Sequence, residues 1–286
     1  MKYARVAVTG GAGRLGRHVI KALKGCCEVR VLDRALPERT PGVAVDILDP
    51  VDLRRALQGV DAVVHLAGLD LDTPAAPEDY VRVNALGTFG VLQAAQDAGA
   101  RRVVLASSVT ATGLGEARPD FPPLYLPVDE DHPLKPRHAY GISKRMAEAA
   151  AASFVAENFD VITLRPMVVM FPSNATLVRK HRETGSRWLF YYVDPDDAGR
   201  AFRCALEAPE GTNGTFFITA ADSAHEEPTL EWLKRSLGRL PEIRDPGFYA
   251  ANPRASIFDG RRARDTLGFT PTSDWLALSA RFKEDA

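Results

Sequence analysis

The sequence predicts an α/β protein: a Rossmann-like, doubly wound parallel sheet with a small mixed C-terminal substrate-binding part. Three observations predict it. As far as about residue 170, short β-branched runs alternate with longer stretches of helical apolar spacing. Glycines at 10, 11, 13 and 16 crowd the turn between the first strand-like run and the first helical one. An acid, Asp33, then closes the second strand-like run.

The elements follow in order. RVAVTG (5–10) reads as a strand, and GRLGRHVIKALKG (13–25) as a helix through Leu15, Val19, Ile20 and Leu23. CEVRVLD (27–33) and GVAVDI (42–47) are strands. DPVDLRRALQG (49–59) carries a helix start signal, an aspartate and a proline at its head. DAVVHLAG (61–68) is a buried strand, 77–99 one long helix, and RRVVLASS (101–108) a further strand. After a long loop come helix 137–158 and strand DVITLRP (160–166). Beyond 170 the alternation fails. Helix 194–209, strand 214–222 and short helices at 228–238 and 260–268 make a mixed C-terminal part. The division is therefore a dinucleotide-binding domain over 1–170 and a smaller substrate-binding part over 171–286, with the chain crossing back to the core around 190–222. In such a sheet ligands sit beyond the carboxyl ends of the strands. That directs attention to 10–16, 33–34, 46–47, 66–68, 107–108 and 166–174.

Composition excludes several classes. The 286 residues are 45% hydrophobic and 26% charged, and 36 basic residues balance 37 acidic ones. No electrostatic footprint for nucleic acid or a membrane surface is present. No run of 18 or more apolar residues occurs, and the N-terminus lacks a signal-peptide layout. Cys26, Cys27 and Cys204 make an odd count without metal-ligand spacing, which predicts buried or semi-buried thiols in a cytoplasmic protein. His132 and His138 beside Asp129–Asp131 also lack ligand spacing, so no metal is expected. That cluster reads as a solvated loop over the active site. His65 ends a strand and reads as a core histidine.

The chemistry begins at the glycine turn. Missing side chains at Gly10, Gly13 and Gly16 let backbone touch a pyrophosphate, and the helix that follows aims its N-terminal amides at the charge. Arg14 and Leu15 lie inside this turn. Asp33 is placed to accept from an adenosine ribose and to repel a 2′-phosphate, which favours NAD. NADP stays open, because Arg14 or Arg34 could pair with a phosphate. In HAYGISKRMAE (138–148), Tyr140 and Lys144 stand four apart on one helix face. A nearby ammonium is expected to draw the phenol's pKa down toward working pH and make it an acid/base.

Taken in order, the glycine turn, Asp33, HLAG, LASS, YGISK and LRP resemble the extended short-chain dehydrogenase/reductase superfamily, whose members include NAD-dependent epimerases, dehydratases and dehydrogenases. The resemblance covers residues 4 to 210 well. It implies Tyr140 as acid/base, Lys144 on the nicotinamide ribose, and Ser108 (with Ser107 as the neighbouring alternative) on the substrate oxygen. It implies Asp46 and Ile47 at adenine, Leu66, Ala67 and Gly68 along the cofactor channel, and Asn84 near the active site. Pro166 and Val168 would meet the carboxamide. It also implies a homodimer through helices 77–99 and 137–158.

The short C-terminal part argues for a small substrate, and the layout is similar to compact uronate dehydrogenases. Arg187 falls where those enzymes bind a carboxylate. Val109 and Thr110 replace their Asn-His pair and Val168 their serine, so the pocket is more apolar. The run Trp188–Tyr192 either lines it or packs. The expected activity is hydride transfer to or from a hydroxyl or carbonyl carbon of a small sugar, sugar acid or related alcohol. The alternatives are an epimerase or dehydratase that recycles NAD in place, and a non-catalytic NAD(P) sensor.

Overall fold

A computed structural model describes residues 1–38, 40–114, 120–174, 176 and 190–284. Strands are numbered along the chain. β1 (Arg5–Thr9), β2 (Glu28–Asp33), β3 (Val43–Ala44), β4 (Ala62–His65), β5 (Arg102–Ala106), β7 (Asp160–Pro166) and β10 (Gly214–Ile218) form one sheet. Their order is β10-β7-β5-β4-β1-β2-β3, and every pairing is parallel. The chain leaves β1 toward β2 and β3, then crosses back to β4. The topological switch point, and with it the ligand crevice, lies at the carboxyl ends of β1 and β4.

Strand periodicity sorts the core into two layers. Val6, Val8, Ala62, Val64, Val104, Ile162 and Leu164 face one side, against α1 (Arg14–Leu23) and α6 (Pro195–Glu207). Ala7, Val63, Val103, Leu105 and Val161 face the other, against α2 (Pro50–Leu57), α4 (Gly87–Asp97) and α5 (Ala139–Ser153). Gly199 lets α6 lie close on α1: a Cβ there would stand 2.5 Å from His18 O.

The long helix expected over 77–99 is three pieces: α3 (Pro77–Tyr80), a π-helical segment Val81–Leu86, and α4. The wide segment carries Asn84, and insertions of this kind recur at functional sites. Helix 137–158 ends at Ser153, since the chain turns back at Asn158 (φ 64°) to start β7. The strand over 42–47 shrinks to two residues because the Asp46 carboxylate accepts from Leu48 N–H and makes a turn instead. Two helices went unread in the sequence, α8 (Pro246–Ala251) and α10 (Trp275–Glu284).

The later chain adds β6 (Tyr125–Leu126) paired with β11 (Glu242–Ile243), and β8 (Val168–Val169) paired with β9 (Tyr192–Val193). It also adds α7 (Thr229–Leu237) and α9 (Arg261–Leu267). Trp232, Phe258 and Trp275 join the same apolar cluster as Val6 and Val19. The 129–132 segment is not the solvated loop the sequence suggested. Glu130 is buried, accepts from Phe217 N–H and pairs with Arg262, while buried His132 accepts from Leu124 N–H. Partners more than 80 residues away in sequence remove Glu130 from water, and local partners, Phe121, Leu124 and Tyr125, enclose His132.

Candidate active site

The glycine turn is shaped by close backbone contacts. Gly10 adopts φ +70°, and a Cβ on it would lie 2.7 Å from Ala67 N. On Gly16 it would lie 2.5 Å from both Gly10 O and Gly11 O. Gly13 caps α1 with no side-chain bond to the first helical amides, which leaves them for a ligand. Asp33 fastens this turn, its Oδ2 accepting from Ala12 N–H at 3.0 Å.

These residues open on a cavity of about 680 Å³. Gly10, Gly13, Arg14, Leu15, Gly16, Asp33, Arg34 and Ile47 line it, with Leu66, Ala67 and Gly68 at the end of β4. Its far side is formed by Ser107, Ser108, Val109, Thr110, Tyr140, Lys144, Pro166 and Val168. The strand ends picked out in the sequence thus meet at one crevice. Its size, the cradle that any Cβ would fill, and an acid at the second strand fit a dinucleotide.

Two expected cofactor residues are not brought to the cavity wall. Asp46 is exposed and spends its carboxylate on its own turn. Asn84 is buried behind the wall, where Oδ1 accepts from Leu69 N–H at 2.8 Å and Nδ2 donates to Leu69 O and Ser143 Oγ. It braces the loop that carries Gly68; a Cβ on Gly68 would reach Asn84 Oδ1 at 2.7 Å and Lys144 Nζ at 3.8 Å. Arg187, Trp188 and Leu189 lie outside the described residues. Of the aromatic run that follows, Tyr191 lines the cavity, whereas Phe190 packs on Trp232 and Tyr192 donates to Asp222.

Helix α5 starts where the His138 ring accepts from Tyr140 N–H. Gly141 lets it approach the turn at 109–112, since a Cβ there would stand 2.7 Å from Thr110 O. That contact brings Tyr140 to Ser108. Ser108 Oγ accepts from Thr110 Oγ1 at 2.9 Å and is hydrogen-bonded to Tyr140. Lys144 Nζ donates to Ala106 O at 2.9 Å and lies 5.8 Å from the Tyr140 ring centre.

The electrostatics differ from the expectation that the ammonium lowers the phenol's pKa. Burial pushes Tyr140 up to about 12, with the Ser108 hydrogen bond opposing it. Burial also draws Lys144 down to about 8, against the pull of Glu148 and Asp70. Desolvation outweighs the pairing because both groups are enclosed. His65 is a core histidine, as its position suggested. Its nitrogens bond Thr9 Oγ1 at 2.7 Å and Thr88 Oγ1 at 3.0 Å, and burial holds its pKa at about 3.

Sequence reasoning missed the mouth of the cavity. Arg14 Nη2 donates to Asp70 Oδ2 at 2.7 Å, lies 3.6 Å from Asp72 Oδ2, and sits over the Phe171 ring. Arg14 is thereby committed to carboxylates. Three loops far apart in sequence build this contact, and no local pattern signals it.

An open parallel sheet with this glycine turn, acid and enclosed Tyr-Lys pair at one crevice defines a dinucleotide-binding α/β protein. Residues 6–218 match the sequence profile described as the NAD dependent epimerase/dehydratase family, and the chain belongs to that family. It is an NAD-dependent enzyme of that family. It is 29% identical over 258 residues to the NAD-dependent glucose-6-phosphate dehydrogenase of Haloferax volcanii, covering 85% of this chain and 95% of that one. It is 28% identical over 259 residues to the uronate dehydrogenase of Pseudomonas putida, covering 87% and 88%. In fold it is similar to a short-chain dehydrogenase/reductase superfamily protein of Agrobacterium tumefaciens solved with bound NAD. There the TM-score is 0.73 at 24% identity, covering 98% of this chain and 97% of that one.

The glycine cradle predicts its own test. Gly16→Ala forces a methyl onto two carbonyl oxygens, and overpacking of this sort costs about 1–3 kcal/mol. NADH affinity, measured by fluorescence titration, is expected to fall about tenfold or more. Gly25→Ala is the comparison: its φ is +78° but nothing lies within 4 Å. It should cost stability and leave NADH binding unchanged.

Proposed function

We propose that this protein is an NAD-dependent oxidoreductase acting on a hydroxyl or carbonyl carbon of a small sugar, sugar acid or related alcohol. The observation that carries the reading is the convergence of Ser108, Tyr140 and Lys144 on the cavity floored by the glycine turn. The names of the relatives, dehydrogenases of glucose 6-phosphate and uronate, support the substrate class. When bound, NAD supplies the hydride chemistry. Tyr140 exchanges a proton with the substrate oxygen, and Ser108 hydrogen-bonds that same oxygen. Tyr140 rests as a neutral phenol, so it is equipped to donate to a carbonyl. Removing a hydroxyl proton requires it first to give up its own. Lys144, held on Ala106 O, orients the pair and binds the nicotinamide ribose. Asp33 takes the adenosine ribose. Val109 and Val168 give an apolar wall to the substrate end, with the Thr110 hydroxyl beside Ser108.

Supplying NAD with L-arabinose, a uronate or glucose 6-phosphate and following absorbance at 340 nm tests this directly. Absence of net NADH formation across aldoses, uronates and simple alcohols, with NAD recovered from the denatured protein at near one equivalent, would instead favour the second reading. That reading is an epimerase or dehydratase with recycled cofactor, supported by 36% identity over 156 residues to a UDP-glucose 4-epimerase of Azospirillum brasilense. The proton-handling pair also sets a pH dependence. Lys144 is protonated below its pKa of about 8. For carbonyl reduction with NADH, where Tyr140 donates, the expected outcome is a kcat/KM that holds below pH 8 and declines as pH rises through it, read from rates between pH 6 and 10.

In this reading residues 1–170 hold the cofactor and carry Ser108, Tyr140 and Lys144, and 171–286 complete the substrate side. A homodimer through α4 and α5 is supported by Leu86, Phe89, Ile142 and Met146, large apolar side chains left exposed on those two helices and the segment entering α4. Three unpaired thiols support a reducing, cytoplasmic compartment. Among the described residues no helix is long and apolar enough to cross a membrane.

A further inference from the structure

Glu148 lies one helical turn beyond Lys144 on α5, and its carboxylate takes three donors. Ser107 Oγ donates to Oε1 at 2.5 Å, Arg165 Nε to the same oxygen at 2.8 Å, and Arg165 Nη2 to Oε2 at 2.8 Å. All three side chains are buried. A buried ion pair is a poor stability device, because desolvating both charges offsets their attraction and well-packed apolar residues serve as well. What this one fixes is position. Ser107 stands between Ala106, whose carbonyl accepts from Lys144 Nζ, and Ser108, which is hydrogen-bonded to Tyr140. Its backbone N–H also donates to Leu164 O at 2.7 Å, so β7 holds it by main chain while Glu148 holds it by side chain.

We propose that Glu148 is a positioning residue for the reaction, gripping Ser107 and Arg165 so that the end of β5 presents Ala106 O to Lys144 and Ser108 Oγ to Tyr140. This rests on the reading of Tyr140 and Lys144 as the proton-handling pair. The carboxylate has a second effect. Of the groups facing Lys144, Glu148 gives the largest opposition to burial, ahead of Asp70 on the loop after β4. His65 at the end of β4 is kept neutral by its own burial, and Arg165 on β7 is spent on Glu148.

Glu148→Gln keeps the shape and removes the charge. Competitive acetylation of Lys144, read by mass spectrometry against pH, should show its midpoint moving below 8 by about one unit. With the sugar that the enzyme turns over, kcat should fall about tenfold, while the NADH titration at pH 6, where Lys144 stays protonated, keeps the wild-type value because Glu148 itself does not line the cavity. Glu148→Asp should restore the acetylation midpoint and not kcat, since its shorter arm cannot reach Ser107. Ser107→Ala, which removes one hydroxyl, should lower kcat with the midpoint unmoved, and it carries the test if the Gln variant does not fold. Wild-type kcat in both the Gln and Ala variants overturns the proposal. So does a Gln variant that loses only melting temperature, with its acetylation midpoint unchanged. Failure of the underlying reading shows separately, as activity surviving Tyr140→Phe.

Discussion

Tyr140→Phe is expected to lower kcat by about 10²–10⁴-fold, the range of a lost general acid/base, and to leave NADH binding at the wild-type value. The substitution removes one oxygen. The ring stays enclosed and keeps its edge contact with Tyr80 at 5.9 Å between centres. Lys144 stays on Ala106 O, so the floor of the cavity is unchanged. What disappears is the only hydroxyl in the described cavity that is both hydrogen-bonded to Ser108 and beside Lys144. Steady-state rates together with a fluorescence titration of NADH separate the two quantities. Normal turnover would remove Tyr140 from the chemistry, and lost NADH affinity with lost turnover would assign it to binding instead.

Arg102→Ala is expected to cost about 3–5 kcal/mol of stability, because it strips one partner from a buried charge pair. Arg102 is wholly buried. From β5 its Nη2 donates to Asp160 Oδ2 on β7 at 2.6 Å and to Pro209 O at 2.6 Å. Its Nη1 reaches the carbonyls of Ala205, Leu206 and Ala208, the last turn of α6 and the residue after it. One guanidinium therefore satisfies the open end of a helix and ties it to two strands. Among the described residues, alanine leaves the Asp160 carboxylate with Gly211 N–H as its hydrogen-bond partner, along with several enclosed carbonyls. Thermal denaturation should show a melting temperature lower by roughly 10 °C, with NADH affinity of the folded protein unchanged, since Arg102 does not line the cavity. A shift of a degree or two would mean that water or a neighbouring cation replaces it.

Much of this protein was legible in its sequence, and the legible parts share a cause. The parallel sheet could be read because strand and helix periods are local patterns, and the buried strands are continuous apolar runs. The glycine turn could be read because glycine costs entropy unless backbone must come close. The Tyr140–Lys144 pair could be read because four residues make about one helical turn. The identity of the wall at 10–16, 66–68 and 107–108 followed from the rule that ligands sit where parallel strands stop.

Burial and partnership between distant segments could not be read. Ser107, Glu148 and Arg165 come from a strand end, a helix and another strand, and each alone looks ordinary. Nothing in the strand run 101–108 signals that Arg102 lies buried under α6. Glu130 read as part of a wet loop until Phe217 and Arg262 enclosed it. The resemblance put Asn84 near the active site, and only the fold shows that it braces the loop behind the cavity. The sign of the Tyr140 shift was misjudged for the same reason, since a lysine four residues away is visible in a sequence while desolvation is not. Local pattern by itself determined the fold and the cofactor cradle, and the order of motifs along the chain pointed to the candidate acid/base. Only the tertiary structure decided which charges are enclosed and what they hold, because the free energy of a buried charge depends on everything packed around it.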